Sequence, residues 1–580
     1  MRTHAGPVTI GLELLASCLL FACSSGPTQA PSPRPPSVVP TISTVATPSD
    51  FSITGLVLDP QGAPVPDATV RIQATMNETR TDGQGRFILV GLDPATPVTV
   101  SAWKEGYYCA KSELATPPTG GILLRMRLVQ TNDNPGYQWV PPTGENSCYS
   151  CKSGVTQAWL DHDAHGKSAT NLRFLTMYNG TDINGNQSPR TRYGYSRDYG
   201  RIPLLPDPSQ PYFGPGYKLD FPDTAGNCAA CHTPGAAIDA PYGTDPNTVE
   251  GANKSGIHCD YCHKVAGVLL NPDSGLPYAN MPGVLSQDIR RPFPLDPDRY
   301  QIFFGTFDDD NVPMEDTYLP LLKESQWCAP CHYGIFWGTV VYNSFGEWLA
   351  SPYSDPQTGR TCQQCHMPAP TLLGGQPITN VAPGKGGVER DPLTIPAHTF
   401  PGASSTELLR NAVTITAVAR PEGGSIVVEV EIVNDKTGHH VPTDSPLRQV
   451  ILLVQARDAL GRNLPLEQGP TLPDWVGIGD PAQGNYAGLP GKAYAKILQE
   501  LWTEVFPSGA YWNPTRILSD TRLAAYARDA SRFVFAAPGG DVQVEVRLLF
   551  RRAFKLLMDQ KGWDTPDIEM DRQTIEVPQG

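Results

Sequence analysis

Ten of the thirteen cysteines fall in five C-x-x-C pairs, and this spacing limits what the 580-residue chain can become. Four pairs run directly into histidine: Cys228-Ala229-Ala230-Cys231-His232, Cys259-Asp260-Tyr261-Cys262-His263, Cys328-Ala329-Pro330-Cys331-His332 and Cys362-Gln363-Gln364-Cys365-His366. The first pair in the chain, Cys148-Tyr149-Ser150-Cys151, is followed instead by Lys152. Paired cysteines also build zinc ribbons and disulfide frameworks. Zinc, however, does not require a histidine directly after each pair.

C-x-x-C-H is the attachment signal for covalently bound haem c. The two thiols form thioethers to the haem edge, and the imidazole of the next residue then lies under the iron as its proximal ligand. The expected cofactor is therefore haem c, about five per chain, held by Cys148, Cys151, Cys228, Cys231, Cys259, Cys262, Cys328, Cys331, Cys362 and Cys365. His232, His263, His332 and His366 are the proximal ligands. Lys152 stands where the fifth would be. A lysine amine ligates iron only after losing its proton, which needs desolvation or the field of the metal itself. Three readings stay open. Lys152 is a ligand at an active site, or a ligand of an ordinary transfer haem, or it is left free while the iron takes a histidine from elsewhere.

There are eleven histidines. His4 falls in the amino-terminal segment and four follow the cysteine pairs, which leaves His162, His165, His258, His398, His439 and His440. The segments around them resemble multihaem cytochromes of the cytochrome c554 type. The likeness runs through Asp163-Ala164-His165-Gly166-Lys167-Ser168, Gly256-Ile257-His258, His398-Thr399-Phe400-Pro401-Gly402 and Gly438-His439-His440-Val441-Pro442-Thr443. Glu347-Trp348-Leu349-Ala350-Ser351-Pro352 completes it. The resemblance implies distal iron ligands at His165, His258, His398 and one of His439 or His440, giving four haems with two histidines each. One iron, at Lys152, would lack an assured sixth ligand unless His162 supplies it.

The motif order, one C-x-x-C-K ahead of four C-x-x-C-H, is also similar to that of pentahaem cytochrome c nitrite reductases, whose catalytic haem carries the lysine. Here Lys264-Val265-Ala266-Gly267 follows the third motif and no Gln-His-Pro occurs, which departs from that family. A cationic, aromatic run at Arg190, Arg192, Tyr193, Tyr195 and Arg197 reads as a solvated loop or, alternatively, as the lining of an anion site.

Residues 51–130 read differently. Gly55-x-Val57-x-Asp59, Pro64-Val65-x-x-Ala68-x-Val70, Thr81-Asp82-x-x-Gly85-x-Phe87 and Gly106-Tyr107 mark short alternating strands, punctuated by Asp-Gly and Pro. They resemble the carboxypeptidase regulatory-like domain, which implies a β-sandwich acting as a spacer or docking module. Cys109, outside every motif, reads as a buried core thiol. Beyond residue 405, Ser425–Val433, Gln449–Arg457 and Asp541–Phe550 alternate as strands, while Ala493–Glu504 reads as a helix.

The amino terminus carries Arg2, an apolar stretch from Val8 to Ala22, and then Cys23. This resembles a bacterial lipoprotein signal peptide cleaved before a lipidated Cys23; Cys18 and plain secretion are the alternatives. The stretch is too short for a lasting transmembrane helix. Residues 24–50, rich in Pro, Ser and Thr, read as a tether. The 59 prolines and 55 glycines predict a loop-rich chain, and a net charge of −14 argues against a nucleic-acid partner.

The expected organisation is multidomain α+β: signal peptide 1–23, linker 24–50, β-sandwich 51–130, a loop-rich and helical multihaem core 131–405, and a β-rich domain 406–580. The expected function is electron transfer in a respiratory chain by an exported, membrane-anchored cytochrome that meets redox partner proteins in the periplasm or at the cell surface. The alternative is an oxidoreductase acting on a small nitrogen or sulfur oxyanion at the Lys152 haem.

Overall fold

The computed structural model describes residues 51–162, 164–294, 301–311, 316–537 and 539–578. The expected signal peptide, Cys23 and the tether 24–50 lie outside the described residues. Among the described residues no helix is long and apolar enough to cross a membrane.

The first region is a sandwich of two small sheets. One has the strand order Arg86–Leu89, Ile53–Leu58, Thr119–Arg125. The other runs Glu78–Arg80, Thr69–Ile72, Val100–Trp103, Ala110–Lys111. Ile53, Val57, Val70, Phe87, Leu89, Val100 and Leu124 form its core. The Asp82–Gly85 turn works as its residues predict: the Asp82 carboxylate accepts the backbone N–H of Gln84 and of Arg86, at 2.9 and 2.8 Å. Gly85 has φ +71°, and a Cβ there would lie 2.5 Å from the Val57 carbonyl, so only glycine fits.

The middle region has little regular structure. Short helical turns carry the cysteine pairs: Cys148–His162, Ala229–His232, Cys259–Cys262, Ser325–Cys328 and Cys362–His366. Two-stranded sheets and Pro/Gly loops connect them. Its cores are small, such as that of Ala229, Tyr261, Val265 and Ile289, and many of its side chains line a large cavity.

The carboxy-terminal region stacks two four-stranded antiparallel sheets. One runs Thr414–Glu422, Ser425–Val433, Arg528–Ala536, Leu466–Gln468. The other runs Gly491–Tyr494, Gln449–Asp458, Val542–Arg551, Ile568–Val577. Ile426, Val428 and Val430 face Val450, Leu452, Val454, Val544 and Val546 across the shared core. The expected helix at Ala493–Glu504 is instead strand: Gly491–Tyr494 pairs with the central Gln449–Asp458 strand, and Lys496–Glu500 pairs with Thr515–Asp520. Ladder pairing with distant strands buries residues 493–498 from end to end, which overrides local helix propensity. The whole is multidomain α+β, with β-rich modules at both ends of the described chain.

Candidate functional site

All ten motif cysteines, together with Lys152, His232, His263, His332 and His366, line one cavity of about 1740 Å³. A cleft for a single small ligand measures about 300–1000 Å³, so this one has room for more than one such group. None of these cysteines is in a disulfide. Thiols of different motifs lie beside each other: Cys148 by Cys259, Cys231 by Cys331, and Cys328 by Cys362. The motifs are therefore packed in a connected series and not dispersed.

The local sequence explains how each motif turn is set. Thr361 and Gln364 form a reciprocal capping box that starts Cys362–His366. Asp260, fully buried, accepts from Tyr137 and from the Val140 N–H at 2.9 and 2.8 Å, and pairs with buried Lys264 at 2.5 Å. That network fixes the turn at Cys259–Cys262. Glu347 organises the far wall: it accepts from Arg522 (2.6 Å) and from the His440 N–H (3.1 Å), while Asn434 donates to the His439 carbonyl (2.8 Å).

Three histidines from elsewhere in the chain each face a motif histidine. The ring centroids of His165 and His332 are 6.2 Å apart, those of His263 and His398 6.4 Å, and those of His366 and His439 6.3 Å. Two imidazoles on opposite sides of one metal, with bonds of about 2.0 Å and ring centres about 1.1 Å behind the nitrogens, have centroids about 6.2 Å apart. The observed pairs match that spacing.

The ring nitrogens are turned to suit. Nδ1–H of His263 donates to the Phe304 carbonyl (2.6 Å), His366 to Pro401 (2.7 Å), His398 to Pro396 (3.1 Å) and His439 to His440 (3.0 Å). This arrangement leaves Nε2 as the free donor atom, the usual second bond of a metal-binding histidine. Burial holds these rings neutral and ready to ligate, pushing His366 and His398 down to about 4 and lowering His263 and His439. His332 differs. Burial works against its charge, but the Asp444 carboxylate, 3.8 Å from Nδ1, outweighs it and pushes the ring up to about 9.

Several expected ligands are placed otherwise. His258 does not line the cavity: its Nδ1 accepts the Tyr261 N–H (3.2 Å), its Nε2 donates to Asn253 (3.3 Å), and it caps the motif turn. Both nitrogens are thus committed, which corrects its assignment as a distal ligand. His440 lines the cavity but lies beside Glu347, at 3.5 Å, so of the adjacent pair it is His439 that meets a motif histidine. His162 is exposed at the end of its helix and outside the cavity. In place of four histidine pairs the described residues contain three. His232 meets no second imidazole: its ring stacks on Phe174 at 3.7 Å and 3°, and its buried Nδ1 has no partner. Lys152 lines the cavity at a kink in its helix, with φ −122° and ψ 47°.

The run at Arg190–Arg197 forms a hairpin, Tyr193–Ser196 with Gly200–Pro203, and lines no part of the cavity. Cys109 is buried, as a core thiol should be. Asp444 was not singled out in the sequence, although it directly follows the Gly438–Thr443 segment. Phe174 carries no sequence signal at all. Among the described residues no three His, Cys, Asp or Glu side chains gather as the donor set of a single metal ion. The donors instead face one another in pairs across open space, which suits a group wider than an ion.

Residues 52–127 match the family model of the carboxypeptidase regulatory-like domain. No curated protein matches the chain. Among solved structures, a penta-heme cytochrome c552 from Thermochromatium tepidum is similar at 18% identity, over 74% of this chain and 97% of that one, with a TM-score of 0.48. A chain of a type II cohesin–X-dockerin complex from Acetivibrio cellulolyticus is similar at 16% identity, over 16% of this chain and 66% of that one, with a TM-score of 0.13.

Proposed function

We propose that this protein is an exported, lipid-anchored c-type cytochrome that carries haem at its five cysteine pairs and passes electrons between redox partners. The observation that carries this reading is the set of three histidine pairs at 6.2–6.4 Å, each joining a motif histidine to one distant in sequence, in a cavity lined by all ten motif cysteines. When bound, haem c supplies reversible one-electron chemistry. The chain does the rest. Its cysteine pairs fix position, and its carbonyl-anchored imidazoles present Nε2. Its buried walls keep water out and strengthen every electrostatic interaction inside. Anchorage through Cys23 would keep the molecule beside a membrane.

A second reading, reduction of a small nitrogen or sulfur oxyanion at the Lys152 centre, has one observation in its favour. Of the spare histidines, His165, His398 and His439 each face another motif histidine, and neither His162 nor His258 is turned into the cavity. The test is haem counting by pyridine haemochrome, then EPR of the air-oxidised, matured protein. Five covalent haems with only low-spin ferric signals support the conduit. A high-spin signal of about one haem per chain supports the reductase. A protein without covalent haem would sink both.

A further inference from the structure

Three arginines, Arg173, Arg448 and Arg552, gather on one wall of the cavity, and one of them adjoins the residue that covers His232. Arg173 is the sequence neighbour of Phe174, whose ring covers His232 at 3.7 Å. Its guanidinium lies 5.4 Å from the centre of the Trp563 ring, and its Nη2 is buried with no hydrogen-bond partner. Arg448 donates to the Thr443 carbonyl (3.0 Å), and its other nitrogen is 3.8 Å from Asp444, a carboxylate already facing His332. Arg552 spends its Nε on the Ala403 carbonyl at 3.1 Å. The three are close enough to repel: burial, then Arg552 and Arg448, push Arg173 down to about 10, with Asp564 acting in the opposite sense.

Desolvated like charges are costly unless an anion joins them. Each guanidinium presents five N–H groups in a rigid fork that matches a planar oxyanion. Most of those donors here are not used by the chain.

We propose that Arg173, Arg448 and Arg552 form a binding site for a carboxylate or similarly planar small oxyanion beside the His232 centre. The proposal rests on the multihaem reading. The same chemistry has two sources: a propionate of the haem held by Cys228 and Cys231, or a free oxyanion that enters the cavity. His232 is the motif histidine that faces no second imidazole among the described residues, so a free anion has a reason to approach there.

The test uses the matured protein and begins with the haem count. Arg173→Gln and Arg552→Gln are compared with the wild type by spectroelectrochemistry and by EPR titration with sodium nitrite and sodium acetate. If a propionate is held, one centre becomes easier to oxidise in each variant. Its reduced-to-oxidised ratio at fixed potential should fall about tenfold for one charge removed at close range, and added anions should change nothing. If a free oxyanion is held, nitrite or acetate shifts one wild-type signal, and the shift is lost in both variants. Should the Gln variants fail to mature, Arg173→Lys, which keeps the charge but loses the fork, and the wild-type titration decide between the same outcomes. A full haem count with no change in potential and no anion effect overturns the site and leaves the cytochrome reading standing. Absence of covalent haem overturns both.

Discussion

His439 and His440 are neighbours of the same chemical type, yet the fold gives them different work. His439 is anchored through Nδ1 to a carbonyl and faces His366 at 6.3 Å, whereas His440 sits 3.5 Å from the buried Glu347. On the proposed cytochrome reading, His439→Ala should therefore convert one low-spin centre to high spin in the EPR spectrum of the matured protein. His440→Ala should leave the spectrum as it was. Equal effects, or the reverse order, would refute the pairing. The four motif histidines could be singled out from a local spacing, and all four line the cavity. His165, His398 and the His439/His440 pair were readable as candidates too, but not which motif histidine each faces, because the pairs join across the fold: His165 lies 167 positions before His332, and His398 lies 135 after His263. Local context misplaced His258. Its segment resembles a ligand segment, but a histidine immediately before a helical turn is also well placed to cap it, and here the cap wins.

At the scale of elements, the carboxy-terminal sandwich is pinned to the middle region by two buried lysines. Lys496 donates to the Val340 and Val341 carbonyls (3.2 and 2.6 Å). Lys561, at the end of the helix Lys555–Lys561, reaches the carbonyls of Thr176 and Thr181, both at 3.0 Å, and that of Pro215. Lys561→Met would strand three buried acceptors and should cost about 2–4 kcal/mol in denaturant unfolding at pH 7. The same lysine gives a pH signature. Burial pulls it down from 10.5 to about 7. Between those values the unfolded chain binds the proton and the folded chain does not, so this residue makes stability rise with pH from 7 to 10.5. The penalty is full below pH 7. In Lys561→Met that slope should flatten; an unchanged slope would show that Lys561 stays charged in the fold. The long strands were readable from their alternation, and Ser425–Val433 forms as read. Residues 491–500 were not, since their partners, Gln449–Asp458 and Thr515–Asp520, lie far along the chain.

Over the whole molecule, the amino-terminal sandwich is fastened to the region that follows it. It is seated on the segment that follows Gln301. Tyr108 donates to the Gln301 carbonyl (2.7 Å), the Ala74 N–H to Asp309 (2.7 Å), the Asp310 N–H to Ser101 (2.7 Å) and Trp103 to Thr317 (3.2 Å), while Arg71 pairs with Asp308 (2.7 Å). Asp309 is also held from the opposite side by Arg390, at 2.7 Å. Between these contacts runs Phe303–Gly305, whose Phe304 carbonyl receives Nδ1–H of His263. The sandwich has its own core, Ile53 to Met126, and so offers a folded surface to a segment whose regular structure is limited to short strands. On the proposed cytochrome reading, a chain lacking residues 51–130 should therefore still mature at the centres of His332 with His165 and His366 with His439, whose anchors lie elsewhere. Its His263–His398 centre should lose definition, seen as one broadened or shifted low-spin EPR signal and as faster amide exchange across residues 301–311. If that signal and the exchange rates match the intact protein, residues 301–311 support themselves, and the sandwich is left with contacts to partners alone.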